Sequence, residues 1–206
     1  MNPLSELGNL PLTPAVLTTL YPRLTAIGKK VARLEREGTL VRLKRGLYVV
    51  SPRVSGCPLS TGLLSNDIYA PSYVSQLTAL RYYGLIPETV VTIQAMTTKH
   101  SRLFTNAVGR FAYTRTTPEA FAIGLTQQLE AGTRFIIATP EKALCDLIAT
   151  TPGLNLRYPG EALRYLRDDL RLDTDYLPRL DTRILRQYIA VGKKARSIRT
   201  LLQLLR

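Results

Sequence analysis

The chain has 206 residues, 45% of them hydrophobic and 21% charged, a composition that builds an ordinary globular core without disulfide or metal staples. Its formal net charge of +13 favours a polyanionic partner: nucleic acid, an anionic membrane surface or an acidic protein. Two separated cysteines, Cys57 and Cys145, and one histidine, His100, fall short of the roughly four ligands that a structural zinc site needs.

No apolar run approaches the roughly 20 residues of a membrane span, and the N-terminus lacks the charged-then-apolar pattern of a signal peptide. We therefore expect a cytoplasmic protein with no metal, no cofactor and no membrane partner. The charge is uneven. Residues 1–53 hold nine Lys or Arg and three Asp or Glu, residues 54–156 seven and six, and residues 157–206 twelve and six. The two ends are the electropositive parts.

In chain order, residues 13–21 read as a short helix, with Thr13 as N-cap and Pro14 in the first helical position, broken by Pro22. Residues 24–37 form the clearest helix, stopped by Gly38. Two β-rich runs, 39–43 and 47–50, flank a hairpin turn at Lys44-Arg45-Gly46. A Ser/Gly/Pro-rich stretch from Pro52 to Gly62 is the linker candidate. A helix over 72–84 follows, with Ser72 as cap and Gly84 as stop; then come β-like runs at 89–97, about 108–115 and 134–138. A helix over 140–149 opens with Pro140 and Glu141, and the chain from Pro159 onward is helical in pattern.

At 100° per residue, Leu24, Ile27, Val31 and Leu34 fall on one side of the 24–37 helix. Thr25, Lys29, Arg33 and Arg36 fall on the other, with Lys30 beside them. A basic polar face alone is as well explained by solvation as by DNA. Its context is more specific: a short helix and a proline turn precede it, and a basic hairpin follows. Helix, turn, helix and wing is the unit that puts one helix into the major groove. Lys29 and Arg33 would then reach base edges or phosphates, while Arg42, Lys44 and Arg45 on the wing would neutralise phosphates. The competing reading is a winged helix used for protein contacts.

Catalysis is not expected. Glu141 and Asp146 stand five positions apart on different helix faces, Lys142 reads as exposed, Cys145 as a small buried residue, and no phosphate-binding glycine loop is present. Near the C-terminus, Ile184, Leu185, Tyr188 and Ile189 form one apolar stripe and Ile198, Leu201, Leu202 and Leu205 another. Lys193, Lys194, Arg196 and Arg199 lie between and beside them. They read as a solvated face, a second DNA surface or a docking surface for an acidic protein partner.

Three stretches, Leu34–Tyr48, residues 70–85 (APSYVSQLTALRYYGL) and residues 138–147 (ATPEKALCDL), resemble in order the AbiEi-type antitoxins of type IV toxin–antitoxin and phage-defence operons. The resemblance implies an N-terminal DNA-binding winged helix, a C-terminal antitoxin domain, and autorepression at inverted repeats in the protein's own promoter. It also implies a nucleotidyltransferase-like toxin as the counterpart, and makes Glu141 and Lys142 members of a family signature. The first helix of such a module would have to lie in residues 3–9, between Pro3 and Gly8.

The expected fold is α+β. A winged helix-turn-helix occupies residues 1–53, and a C-terminal domain over 63–206 combines a small mixed sheet (89–138) with a helical tail (140–206). The expected state is a monomer or weak dimer that binds DNA cooperatively. The alternative function is a protein-interaction module that neutralises a partner by direct binding.

Overall fold

The computed structural model describes residues 3–205, which fold as a mixture of helix and strand, in keeping with the α+β expectation. A single 3-10 turn at Ser5–Leu7 stands where the first helix was expected. Helix α1 spans Pro14–Leu20 and α2 spans Ile27–Arg36; strands β1 (Leu40–Lys44) and β2 (Leu47–Val50) make an antiparallel hairpin. Helix α2 is shorter than the pattern over 24–37. Ala26 is non-helical, and a turn in which the Leu24 N–H donates to the Tyr21 carbonyl (3.0 Å) follows Pro22, so Leu24 and Thr25 lie exposed before the helix.

Beyond the hairpin come α3 (Pro52–Ser55), α4 (Thr61–Ile68), β3 (Ser72–Val74), α5 (Gln76–Tyr82), β4 (Thr92–Thr97), β5 (Arg102–Thr105) and β6 (Arg110–Arg115). Then follow α6 (Pro118–Phe121), β7 (Leu125–Glu130), β8 (Thr133–Ala138), α7 (Pro140–Thr150), α8 (Pro159–Arg164), α9 (Thr182–Val191) and α10 (Ala195–Leu204). The expected linker is thus helical at both ends and irregular over 56–60, and Ser60 caps α4 by accepting the Leu63 N–H at 3.1 Å. Ser72 is not a helix cap. It sits in β3 opposite Thr97, and α5 starts only after Ser75. Strands β3 to β8 form one sheet in the order β5-β6-β4-β3-β8-β7, in which β4 runs parallel to β6 and β3 parallel to β8.

The hairpin joins two cores because side chains alternate along a strand. Tyr48 and Val50 face a small N-terminal core with Leu4, Leu17, Val31 and Leu34. Leu47 and Val49, with Leu43, face a second core built from Leu64 and Ile68 of α4 and from Phe111 and Tyr113 of the sheet. All four residues of β2 are therefore buried. At about 1.5–3 kcal/mol per buried aliphatic side chain, the three residues on the sheet side contribute on the order of 5–9 kcal/mol before ordering costs, as much as a whole small domain's net stability. Asn9 adds a polar tie, donating from Nδ2 to the carbonyls of Pro58 and Ala131, each at 2.9 Å.

Helix α7 is central to the C-terminal part. Residues 141–148 are all buried on it, including Lys142, which was expected to be exposed. The Lys142 ammonium donates to Asp146 Oδ1 (2.8 Å) and to the Ala120 carbonyl (2.7 Å), and lies 4.4 Å from the Tyr188 ring centre. Asp146 also accepts from the hydroxyls of Tyr73 (3.0 Å) and Ser75 (2.8 Å). A buried ion pair persists only when its remaining donors and acceptors are met in this way. Glu141, also buried, accepts the Asp181 N–H at 2.9 Å and so fixes the start of α9. Burial pushes the Cys145 thiol well above its ordinary range. No helix among the described residues is long and apolar enough to cross a membrane.

Candidate nucleic-acid interface

Helix α2 buries Val31 and Leu34 against the small core and turns its opposite face to solvent. That face carries Lys29, Arg33 and Arg36, all exposed. Gly28 and Ala32 are exposed beside them, and a Cβ built on Gly28 would meet nothing within 4 Å. Small residues one turn apart leave the backbone open to close approach by a ligand, with long cations on the flank to reach around it. Arg33 lies 3.5 Å from Glu37, but both side chains are more than half exposed, and such a pair holds its arginine only weakly. Arg33 and Arg36 also sit in the last turn, where positive charge is favoured by the helix dipole.

The other expected contacts divide. Thr25 is exposed but precedes the helix. Lys30 is half-buried, with its ammonium 4.8 Å from the Tyr21 ring centre. Arg42 donates to Glu35 of α2 at 2.7 Å, which ties β1 to the helix and holds its guanidinium pKa above the ordinary value. Lys44 is drawn inward. Its ammonium donates to the carbonyls of Ile68 (2.6 Å) and Asp67 (3.5 Å), the free C-terminal carbonyls of α4. Burial first, and then the nearby Lys99, push its pKa down. The phosphate role expected for Lys44 thus gives way to anchoring the hairpin. The two-residue turn between Lys44 and Leu47 leaves Arg45 exposed at the tip, with Gly46 at φ +77°.

Sequence reasoning missed Lys99 and Arg102. They lie near enough to Lys44 to depress its pKa, Lys99 in the turn from β4 to β5 and Arg102 at the start of β5. Lys99 donates to the Ala70 carbonyl over the Tyr69 ring, and the Arg102 guanidinium covers the Phe104 ring. The signal was present in the stretch Thr97–Arg102, TTKHSR, which reads simply as a polar loop.

At the C-terminal end the expected basic group is also split. Lys193, Arg196 and Arg199 are exposed, while Lys194 takes a left-handed conformation before α10 and donates to the Thr151 carbonyl. Arg186 and Arg199 flank a groove floored by Ile189 and Leu202 between α9 and α10. The second candidate surface is thus Arg186, Lys193, Arg196 and Arg199, without Lys194. Among the described residues, no group of three or more His, Cys, Asp or Glu is placed to hold a metal ion. No protein-family model matches the chain, and a search of curated proteins yields no match either.

Proposed function

We propose that α1, α2 and the β1–β2 hairpin form a winged helix-turn-helix that binds double-stranded DNA, with α2 as the recognition helix. The observation that carries this reading is the strip on α2 where Gly28 and Ala32 open the surface and Lys29, Arg33 and Arg36 line it. In the major groove such arginines can bond guanine through both O6 and N7. Arg45 at the hairpin tip supplies a phosphate contact beyond the helix. The segment order matches a docking unit in which the second helix enters the groove and the wing follows the backbone.

With the resemblance of Leu34–Tyr48, residues 70–85 and residues 138–147 to AbiEi-type antitoxins, this makes the chain a non-enzymatic antitoxin of a type IV operon. It represses its own promoter at inverted repeats and counteracts a nucleotidyltransferase-like toxin in the cytoplasm. Each copy reads one arm of the repeat, and the DNA brings the copies together. The test is a gel shift on the duplex immediately upstream of the gene. The parent protein gives a specific shift, and Lys29→Ala with Arg33→Ala abolishes it. An equal shift by the double variant would remove α2 from the interface.

A second reading, direct neutralisation of a partner, draws on the engagement of Arg42 and Lys44 with the protein itself. It predicts co-elution with the product of the neighbouring gene in the absence of DNA.

A further inference from the structure

A cavity of about 270 Å³ lies at the carboxyl ends of the parallel strands β4 and β6, closed on the far side by α7 and by the loop between α9 and α10. Crevices outside the carboxyl ends of parallel strands are favoured ligand sites. Two cations line this one, Arg115 from the end of β6 and Lys193 from the loop, and no acid does. Neither cation makes an ion pair among the described residues.

The hydroxyls around the cavity are of two kinds. Those of Ser101, Thr117 and Thr150 accept from the Arg115 N–H, the Ala120 N–H and Gln76 Nε2, and Thr150 also donates to the Asp146 carbonyl. Those of Thr114 and Thr116 have no protein partner among the described residues, although Thr116 is only 8% exposed. Met96, Ala120 and Ala149 supply an apolar lining.

The loop that carries Lys193 is held in place. A Cβ on Gly192 would collide with the Tyr188 ring, so only glycine lets the chain cross that ring and bring Lys193 to the cavity. Tyr188 itself lines the cavity and covers the Lys142 ammonium, which fixes its position against the buried pair.

We propose that this cavity binds a small phosphate monoester. Two unpaired cations and two free hydroxyl donors suit a tetrahedral dianion with several acceptor oxygens. The volume is about nine times a water's share of roughly 30 Å³. That leaves room for an organic group of sugar or nucleoside size against Met96 and Ala149. The site lies on the C-terminal part and does not depend on α2 reading DNA.

The experiment is isothermal titration calorimetry on the full chain with adenosine 5′-monophosphate, glucose 6-phosphate, adenosine and a short duplex of unrelated sequence. At least one of the two phosphate monoesters binds and adenosine does not. Arg115→Ala with Lys193→Ala weakens binding by about a hundredfold or more, the loss expected when two charge-assisted hydrogen bonds are removed, at an unchanged melting temperature. Arg45→Ala leaves it unchanged. Three results would overturn the proposal: no heat with either monoester, equal binding by the double variant, or a double variant impaired only toward duplex DNA. The last would assign these cations to a DNA backbone phosphate.

Discussion

Seven of the eight residues first expected to touch DNA are cationic: Lys29, Lys30, Arg33, Arg36, Arg42, Lys44 and Arg45. If each neutralised one phosphate, they would contribute a slope of about −6.3 to log K against log salt concentration, at roughly −0.9 per phosphate. In the folded chain Arg42 is bonded to Glu35, Lys44 to the end of α4, and Lys30 lies over Tyr21. The four that stay exposed without a hydrogen-bonded carboxylate, Lys29, Arg33, Arg36 and Arg45, would contribute about −3.6 per bound copy. Between 50 and 200 mM salt that is about a 150-fold loss of affinity, against about 12-fold when only two of them act.

The decisive comparison is between two double variants. Arg36→Ala with Arg45→Ala flattens the slope by about 1.8, whereas Arg42→Ala with Lys44→Ala leaves it unchanged and lowers stability instead. Fluorescence anisotropy on a labelled upstream duplex, with folding checked by circular dichroism, reads both. If the Arg42/Lys44 variant flattens the slope as much as the Arg36/Arg45 variant, the strand cations face the DNA and the structural reasoning fails.

Two further outcomes concern the frame that presents this face. Asp146→Ala leaves Lys142 charged and unpaired in the core, and urea denaturation is expected to give a loss of about 3–5 kcal/mol; a loss under 1 kcal/mol would mean that the ammonium finds water. Leu43→Ala opens the core shared by the hairpin and the sheet and costs about 2–5 kcal/mol. Near- and far-ultraviolet circular dichroism should follow that unfolding as one transition, and two separated transitions would show that the hairpin does not couple the two parts.

Local chemistry made much of this chain readable. Pro14 at a helix start, the 3.6-residue period of Val31, Leu34 and the basic residues between them, and the turn around Gly46 marked α1, α2 and the hairpin within a few residues. Pro140 and Glu141 did the same for α7. The basic face of α2 was visible because every residue on it comes from one helix, so spacing alone places Lys29, Arg33 and Arg36 together.

What depended on distant parts of the chain was not readable. Lys44 looked like a free wing cation, yet its partners are carbonyls more than twenty positions away on α4. Lys142 looked solvated, because the Tyr73 and Ser75 hydroxyls that complete its pair with Asp146 lie about seventy positions earlier. Strand β3 was absorbed into the helix after it, since three residues carry no period of their own. The cavity between Arg115 and Lys193 exists only because the sheet and the α9–α10 loop converge. The sequence by itself determined α1, α2, the β1–β2 hairpin and α7, and which face of α2 is cationic, because those follow from neighbours within a turn or two. The tertiary structure decided which cations bond to the protein itself and which stay exposed, because desolvation and long-range hydrogen bonds are settled only when distant segments pack.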